Sequence, residues 1–397
     1  MSFNQSLNSD IEYFDITVSN LNSTSTTSNP ILQFNETRAN PFIRTPSDYV
    51  FYIVRFSLDT NSVPIWIPSI QSSQEDSDLT IYSVSMVYNG ITVQTYMTYI
   101  PQDLTASKAS SPLRNVSGIQ DLSSKYYYVY NYQYVIFLLN NTLYNCFNSL
   151  ASQTSLPTTN CPYFTWDTTN NTATLISDIA GFNDDSSNYI SLYFNNALYQ
   201  LFVSLPSIYS NSSSSKGLIY QISPSSYGIA PTTSVNGYTA FQCVQEYSTV
   251  SIWNPITSIV FCSNTMPMNP EQISSPLVYI NGITLQSTNS SNINNIITDF
   301  ESNDGIYKPS LVYQPYIFRY KQLLGDRALY NIDITCYFKN RFGTLIPFYL
   351  NSGCSATMKI CFMKKSYIGN QKSSFPLIGN QKSSFPLIGS QNTSYPF

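Results

Sequence analysis

Three groupings of side chains in this sequence are of a kind that can do chemistry. Asp299, Glu301, Asn303 and Asp304 place oxygen donors at alternating positions, as at the start of a calcium loop. The glycine such a loop needs is displaced, and no distal bidentate glutamate follows at the required spacing, so the four are a weak cation candidate. Asp184-Asp185, and Glu75-Asp76 with Asp78, offer carboxylate pairs of the type that cleave glycosides. Both lie in Ser- and Asn-rich runs, where solvated loop charge is the simpler role. The third grouping is the cysteines, Cys146, Cys161, Cys243, Cys262, Cys336, Cys354 and Cys361, scattered and without a CxxC pair. They read as reduced, mostly buried small apolar residues rather than as metal ligands or redox partners.

What is missing matters more. The 397 residues include no histidine, the side chain that changes charge near neutral pH and serves most proton-transfer and zinc sites. A Ser–His–Asp or Cys–His nucleophile is therefore unavailable. No GxxxxGKS/T or GxGxxG loop is present to cradle phosphate. The sequence predicts a protein that is not an enzyme and takes no cofactor or metal. It is instead rich in contact surface, with 15% aromatic residues against 10% charged, including 33 Tyr and 23 Phe. A net charge of −4 and a pI near 4.8 argue against a general nucleic-acid binder. The opening MSFNQSLNSDIEYF lacks the pattern of a signal peptide, and the longest apolar run, Val135–Leu139, is far too short to span a membrane.

The elements that must hold these residues are mostly strands. Leu79–Tyr88 and Ile91–Ile100 flank Asn89-Gly90, the strongest short-range hairpin signal a sequence offers. Tyr49–Leu58 and Ile65–Ile70 flank a turn-like Asp59–Ser62. Tyr163–Ile176 reads as a hairpin across Asp167–Asn171. Further strand candidates are Tyr238–Cys243, Ser258–Cys262, Val278–Ile280 with Thr284–Gln286, Tyr316–Tyr320, Ile332–Tyr337 and Thr357–Phe362. One segment breaks the pattern. In Tyr130–Leu150, Val135, Leu138, Leu139, Leu143, Cys146, Phe147 and Leu150 recur at three- and four-residue spacing, which predicts a long helix. Ile190–Leu205 suggests a short strand and a second helix. Many short strands with few helices predict an all-β sandwich or barrel, and the long excursions suit a jelly roll carrying an inserted subdomain.

Several blocks carry a resemblance: Asn40-Pro41, Arg44–Tyr49, Ile53–Phe56 and Val63–Pro68, then Tyr132-Gln133 through Asn140-Asn141 and Cys161–Phe164. Tyr193–Asn195, Trp253–Ile256, Met266-Pro267 with Glu271, Thr298–Phe300, Tyr313–Pro315, Tyr320 with Leu324, and Lys359–Phe362 continue it in order. Over roughly residues 40–365 the chain resembles the penton (minor capsid) proteins of virophages and polinton-like viruses. The resemblance implies a single jelly roll with an inserted subdomain, five copies of which form a capsid vertex beside a separate major capsid protein. The expected partners are then other copies of this chain and that major capsid protein, and the expected location is the virion. A receptor- or carbohydrate-binding sandwich that uses tyrosines as platforms is the alternative.

The expected division is an extended arm over 1–45, a jelly roll from 46–112 plus 228–365, an inserted subdomain over 113–227, and a tail over 366–397. The tail repeats a ten-residue unit: Ile368–Leu377 and Ile378–Leu387 are identical, and Ile388–Phe397 is a degenerate copy. Each unit carries an aromatic–Pro–apolar step in a polar background, suited to an extended peptide docking on a partner. Phe375, Pro376, Leu377 and Ile378, with Phe385, Pro386, Leu387 and Ile388, are the candidate anchors. A recent duplication forming a passive tail is the other reading.

Overall fold

The computed structural model describes residues 10–21, 30–59, 63–71, 76–104, 106–108, 120, 125–210, 215–269, 277–280, 283–286, 295–301, 310–315, 317–340, 343 and 345–368. The chain opens with β1 (Ile11–Ser19), β2 (Gln33–Thr37) and β3 (Tyr49–Asp59). Next come β4 (Leu79–Tyr88), β5 (Ile91–Thr98), α1 (Tyr132–Ala151), β6 (Tyr163–Asp167) and β7 (Thr172–Asp178). They are followed by α2 (Ile179–Phe182), β8 (Ser191–Phe194), α3 (Asn196–Leu201), β9 (Ser207–Tyr209), β10 (Tyr220–Ile222), β11 (Thr232–Val235) and β12 (Tyr238–Val244). The last part holds α4 (Val250–Trp253), β13 (Ile256–Cys262), β14 (Leu277–Ile280), β15 (Ile283–Gln286) and β16 (Ile296–Phe300). It closes with β17 (Ser310–Tyr313), β18 (Lys321–Gln322), β19 (Asn331–Asn340), β20 (Leu345–Pro347) and β21 (Ser355–Lys364).

Two antiparallel sheets form a sandwich. One runs β1-β21-β3-β17, the other β16-β13-β19-β2. Counting only these strands along the chain, the first sheet has the order first, eighth, third, sixth, and the second has fifth, fourth, seventh, second. That is the double Greek key of a jelly roll. Alternation sends every second side chain inward. Phe34, Phe261 and Phe300 from one sheet therefore meet Phe56 from the other, with ring centroids 6.2, 4.9 and 6.0 Å apart.

The strands and helices described between β3 and β13 form a second body with its own core. Its sheets run β5-β4-β8-β10-β9 and β11-β12-β7-β6. α1 lies against them, burying Val135, Leu138, Leu139, Leu143, Cys146, Phe147 and Leu150, the stripe the spacing predicts. The Asn131 side chain caps this helix by accepting from the Tyr134 N–H at 2.9 Å. The β4–β5 turn has positive φ at both Asn89 (49°) and Gly90 (77°), the conformation of a two-residue hairpin turn. Just after the chain leaves the jelly roll, it pairs with the segment ahead of α1. Ile65 N–H donates to the Val129 carbonyl at 2.7 Å, and Val129 N–H to the Trp66 carbonyl at 3.0 Å. Along that segment Tyr127 and Val129 enter the core around α1, whereas Tyr128 enters the jelly-roll core beside Phe338.

The structure differs from the sequence division at three places. Residues 11–19 and 33–37 of the expected arm are jelly-roll strands, with Leu32 and Phe34 fully buried. Their polar, alternating sequence gave them the look of an arm because edge strands bury one face only. The hairpin 79–98, expected in the jelly roll, packs on α1, and Cys243 and Trp253 join the same core, so the second core draws on residues 65–253 rather than 113–227. Among the later strand candidates, 317–320 is not a strand. β3 pairs on that side with Ser310–Tyr313 and with Lys321–Gln322 instead. Ile65–Ile70 makes isolated bridges, from Trp66 to Val129 and from Ile70 to Thr80, rather than a hairpin with β3.

Candidate assembly surface

The reactive-looking side chains are placed where they react little. Burial pushes the thiols of Cys146 and Cys243 up to about 11 and those of Cys161 and Cys262 up to about 12, so they stay protonated and poor as nucleophiles or ligands. Asp299 is neutralised by Arg319, in direct contact, and by the Lys339 ammonium 4.0 Å away. Glu301 is exposed, and Asn303 and Asp304 lie outside the described residues. Asp184 accepts from the Ser223 hydroxyl and Asp78 from Lys108 and Tyr126, while Glu75 lies outside the described residues. Among the described residues, no three His, Cys, Asp or Glu side chains gather as a metal site would require, and no helix is long and apolar enough to cross a membrane.

Many of the tyrosines are structural. Tyr99, Tyr126 and Tyr127 pack as a trio with centroids 5.0–5.8 Å apart. Their hydroxyls donate to the Tyr126 carbonyl, Asp78 and the Ser77 carbonyl at 2.7, 3.0 and 2.7 Å. Trp253 donates its indole N–H to the Leu201 carbonyl at 2.7 Å. Asn195 accepts from the N–H groups of Ser83 and Leu198 and donates to the Ile81 carbonyl, tying α3 to β4. Tyr132, Asn140, Asn195 and Trp253 all belong to the blocks that carry the family resemblance, and each is explained by packing or backbone satisfaction.

Contact surface remains in three places. The outer face of the β1-β21-β3-β17 sheet has an apolar half. There Val50, Tyr52, Cys361 and Met363 are buried under Phe318, Tyr367 and Ile368. Its other half is polar: Arg55 pairs with Asp15 at 3.3 Å, Ser57 with Thr357 at 2.6 Å, and the Lys359 ammonium lies 5.6 Å from the Tyr13 ring centre. On the second body, edge strand β9 exposes Ile208 and Tyr209 near Tyr227 and Ile229, backed by the stacked pair Tyr199 and Tyr220 at 3.9 Å. The third place is the jelly-roll rim. A cavity of about 230 Å³ is lined there by Glu12, Asn40, Pro41, Phe42, Ile43, Arg44 and Tyr49. Burial raises the Glu12 carboxyl above its usual range, against the pull of Lys364. Asn40-Pro41 and Arg44–Tyr49 carry part of the resemblance, but nothing in their sequence signals that residues from both line a cavity with Glu12. That needs the register of β1 against β21. The anchors Phe375–Ile378 and Phe385–Ile388 lie outside the described residues.

Comparison with known proteins bears on what these surfaces serve. Residues 12–364 match the family model of Sputnik minor capsid protein V18/19. The protein V18 of Sputnik virophage is 32% identical over 122 residues, which are 30% of this chain and 72% of that protein. A chain in the 3.5 Å cryo-EM structure of the Sputnik virophage superposes with a TM-score of 0.76 at 25% identity, over 91% of this chain and 99% of that one. The crystal structure of the mavirus penton protein superposes with a TM-score of 0.55 at 13% identity, over 90% of this chain and all of that one, a likeness of fold. None of these findings favours a carbohydrate-binding sandwich.

Proposed function

The chain belongs to the Sputnik minor capsid protein V18/19 family, and on that premise we propose that it closes as a ring of five at the icosahedral vertices of a virion, beside a separate major capsid protein. The observation that carries this reading is that the family match runs the length of a jelly roll whose eight strands follow the double Greek key order. A ring needs a head-to-tail contact, two different patches on each copy that meet and close by rotation. A sandwich with distinct edges, β1 and β17 on one sheet and β16 and β2 on the other, supplies such non-identical sides. Neutral polar and aromatic groups on those sides are desolvated at less cost than unpaired charges.

The jelly roll is read as the part that builds the shell. The body over 65–253 is read as an insertion between its third and fourth strands, projecting from that wall. Native mass spectrometry of the purified chain and density from virions carrying it test this together. The expected result is a pentamer mass and density at five-fold positions. A trimer in solution, or density at non-vertex positions, overturns the reading.

A further inference from the structure

We propose that the first tail repeat of this chain docks in the rim cavity of its own jelly roll, with Phe375-Pro376 against Pro41, Phe42 and Tyr49 and the Lys372 ammonium beside Glu12. Three observations lead there. First, the chain comes to the cavity's door. β21 ends paired with the strand that carries a cavity wall, since Lys364 lies opposite Tyr49, and the Lys365 ammonium donates to the Ser47 carbonyl at 2.6 Å. Tyr367 and Ile368 then pack on the outer-face cluster with Ile11, the neighbour of Glu12. Residues 369–397 continue from that point. Seven residues separate Ile368 from Phe375, a reach of roughly 23–25 Å if extended.

Second, the cavity fits what the repeat carries. Its volume is about 230 Å³, against about 30 Å³ for one water in the liquid. Pro41, Phe42, Ile43 and Tyr49 line it together with the polar Glu12, Asn40 and Arg44, a mixed lining able to meet both the apolar step and the polar residues of the repeat. Proline beside the aromatic limits the backbone freedom lost on docking.

Third, one charge of the lining has a counterpart in the repeat, although Arg44 shares that lining and Lys364 also acts on Glu12. Glu12 is a partly buried carboxylate in the cavity wall, and each of the two identical repeats has a lysine three residues before its Phe-Pro step, Lys372 before Phe375 and Lys382 before Phe385. The third copy has Asn392 and Tyr395 at those places. It lacks the cation, so the first two units are the ones suited to the cavity. Short tether and shared geometry favour the first over the second, because effective concentration falls with the length of the intervening chain.

The test uses the full chain with a photoreactive benzoylphenylalanine at position 375, mixed as isotopically heavy and light copies before irradiation. Peptide mapping is expected to find cross-links to residues 40–49 within one copy. Glu12→Lys, at unchanged melting temperature, is expected to lower that yield at least fivefold, and adding Lys372→Glu to restore it. Cross-links joining heavy to light copies, cross-links confined to other regions, or a yield indifferent to Glu12→Lys would each overturn the proposal. Hydrogen exchange gives an independent readout: truncation after Ile368 should speed exchange at 40–44. Unchanged exchange there counts against the docked repeat.

Discussion

Asn140 sits on α1 with its amide against the backbone of Phe164, donating to that carbonyl at 2.9 Å and accepting from that N–H at 2.7 Å. It does for the strand what a neighbouring strand would do, so Asn140→Ala leaves two backbone groups without partners. The expected loss is about 1–3 kcal/mol of unfolding free energy, read by denaturant titration. Tyr128 is the opposite case. Its ring fills the jelly-roll core at 1% exposure, but its hydroxyl is buried without a hydrogen-bond partner among the described residues. Tyr128→Phe should therefore leave stability unchanged or raise it by about 1 kcal/mol, and a loss of more than that would reveal an ordered water on the hydroxyl. Asp178 carries the pH dependence. Burial opposes its charge, but hydrogen bonds from Thr158, from Asn160 at 2.7 Å and from the Ala180 N–H at 2.9 Å outweigh burial and hold its carboxyl below the usual range. A carboxyl depressed on folding stabilises above its unfolded value and loses that contribution as pH falls through its folded value. Asp178→Asn should thus cost about 1–3 kcal/mol at pH 7 and progressively less below pH 4, seen as convergence of the two melting curves on acidification.

At the scale of elements, what was legible in the sequence is what local chemistry decides. The β4–β5 hairpin follows from Asn89-Gly90, and α1 from its apolar spacing and the Asn131 cap. β11–β12 carries the same signal, Asn236 and Gly237 with φ of 48° and 89°, and is a hairpin for the same reason, although its first strand is too polar to stand out. Hidden from a single sequence is which sheet a strand joins. β1 and β2 look like an arm until β21 and β19 are laid beside them, and β17 is found only through its pairing with β3. The assembly surface shares that limit, because the rim cavity is made by residues from β1, the segment after β2 and the start of β3. Glycine substitution separates local from tertiary constraint. At Gly90 an added Cβ meets nothing within 4 Å, so Gly90→Ala should cost only the strain of a left-handed residue, about 1–2 kcal/mol. At Gly181 an added Cβ runs into the Thr158 side chain, which is held on Asp178. Gly181→Ala should therefore cost clearly more than Gly90→Ala, and equal melting temperatures for the two variants would refute the comparison.

For the whole molecule, the shortage of charge becomes a property of assembly. The chain has 18 basic and 22 acidic residues in 397 and no histidine. Two of the ion pairs on its jelly-roll surface are well exposed to solvent, Arg55–Asp15 with both side chains 47% accessible and Arg38–Glu36 with 46% and 31%. Such pairs contribute about 0–1 kcal/mol each and are screened within a Debye length of about 3 Å at 1 M salt. A ring joined by neutral polar and aromatic contact has little for salt to weaken, and salts excluded from apolar surface strengthen burial instead. The proposed pentamer should accordingly change its dissociation constant by less than about tenfold, or 1.4 kcal/mol, between 0.05 and 1 M sodium chloride. The same argument bears on pH. The chain has no imidazole, and burial raises the thiols of Cys146, Cys161, Cys243 and Cys262 and the Tyr99 hydroxyl, so none of these groups switches charge between pH 6 and 8. Acid should unfold each copy when carboxylates such as Asp178 are protonated, below about pH 4, and loss of the ring should coincide with that loss of fold even though Glu12, raised by burial, takes its proton earlier. Sedimentation across a salt series and an acid series measures both. A ring that falls apart near pH 6 while each copy stays folded, or that dissociates steeply with salt, would mean that charged contacts outside the described residues hold it together.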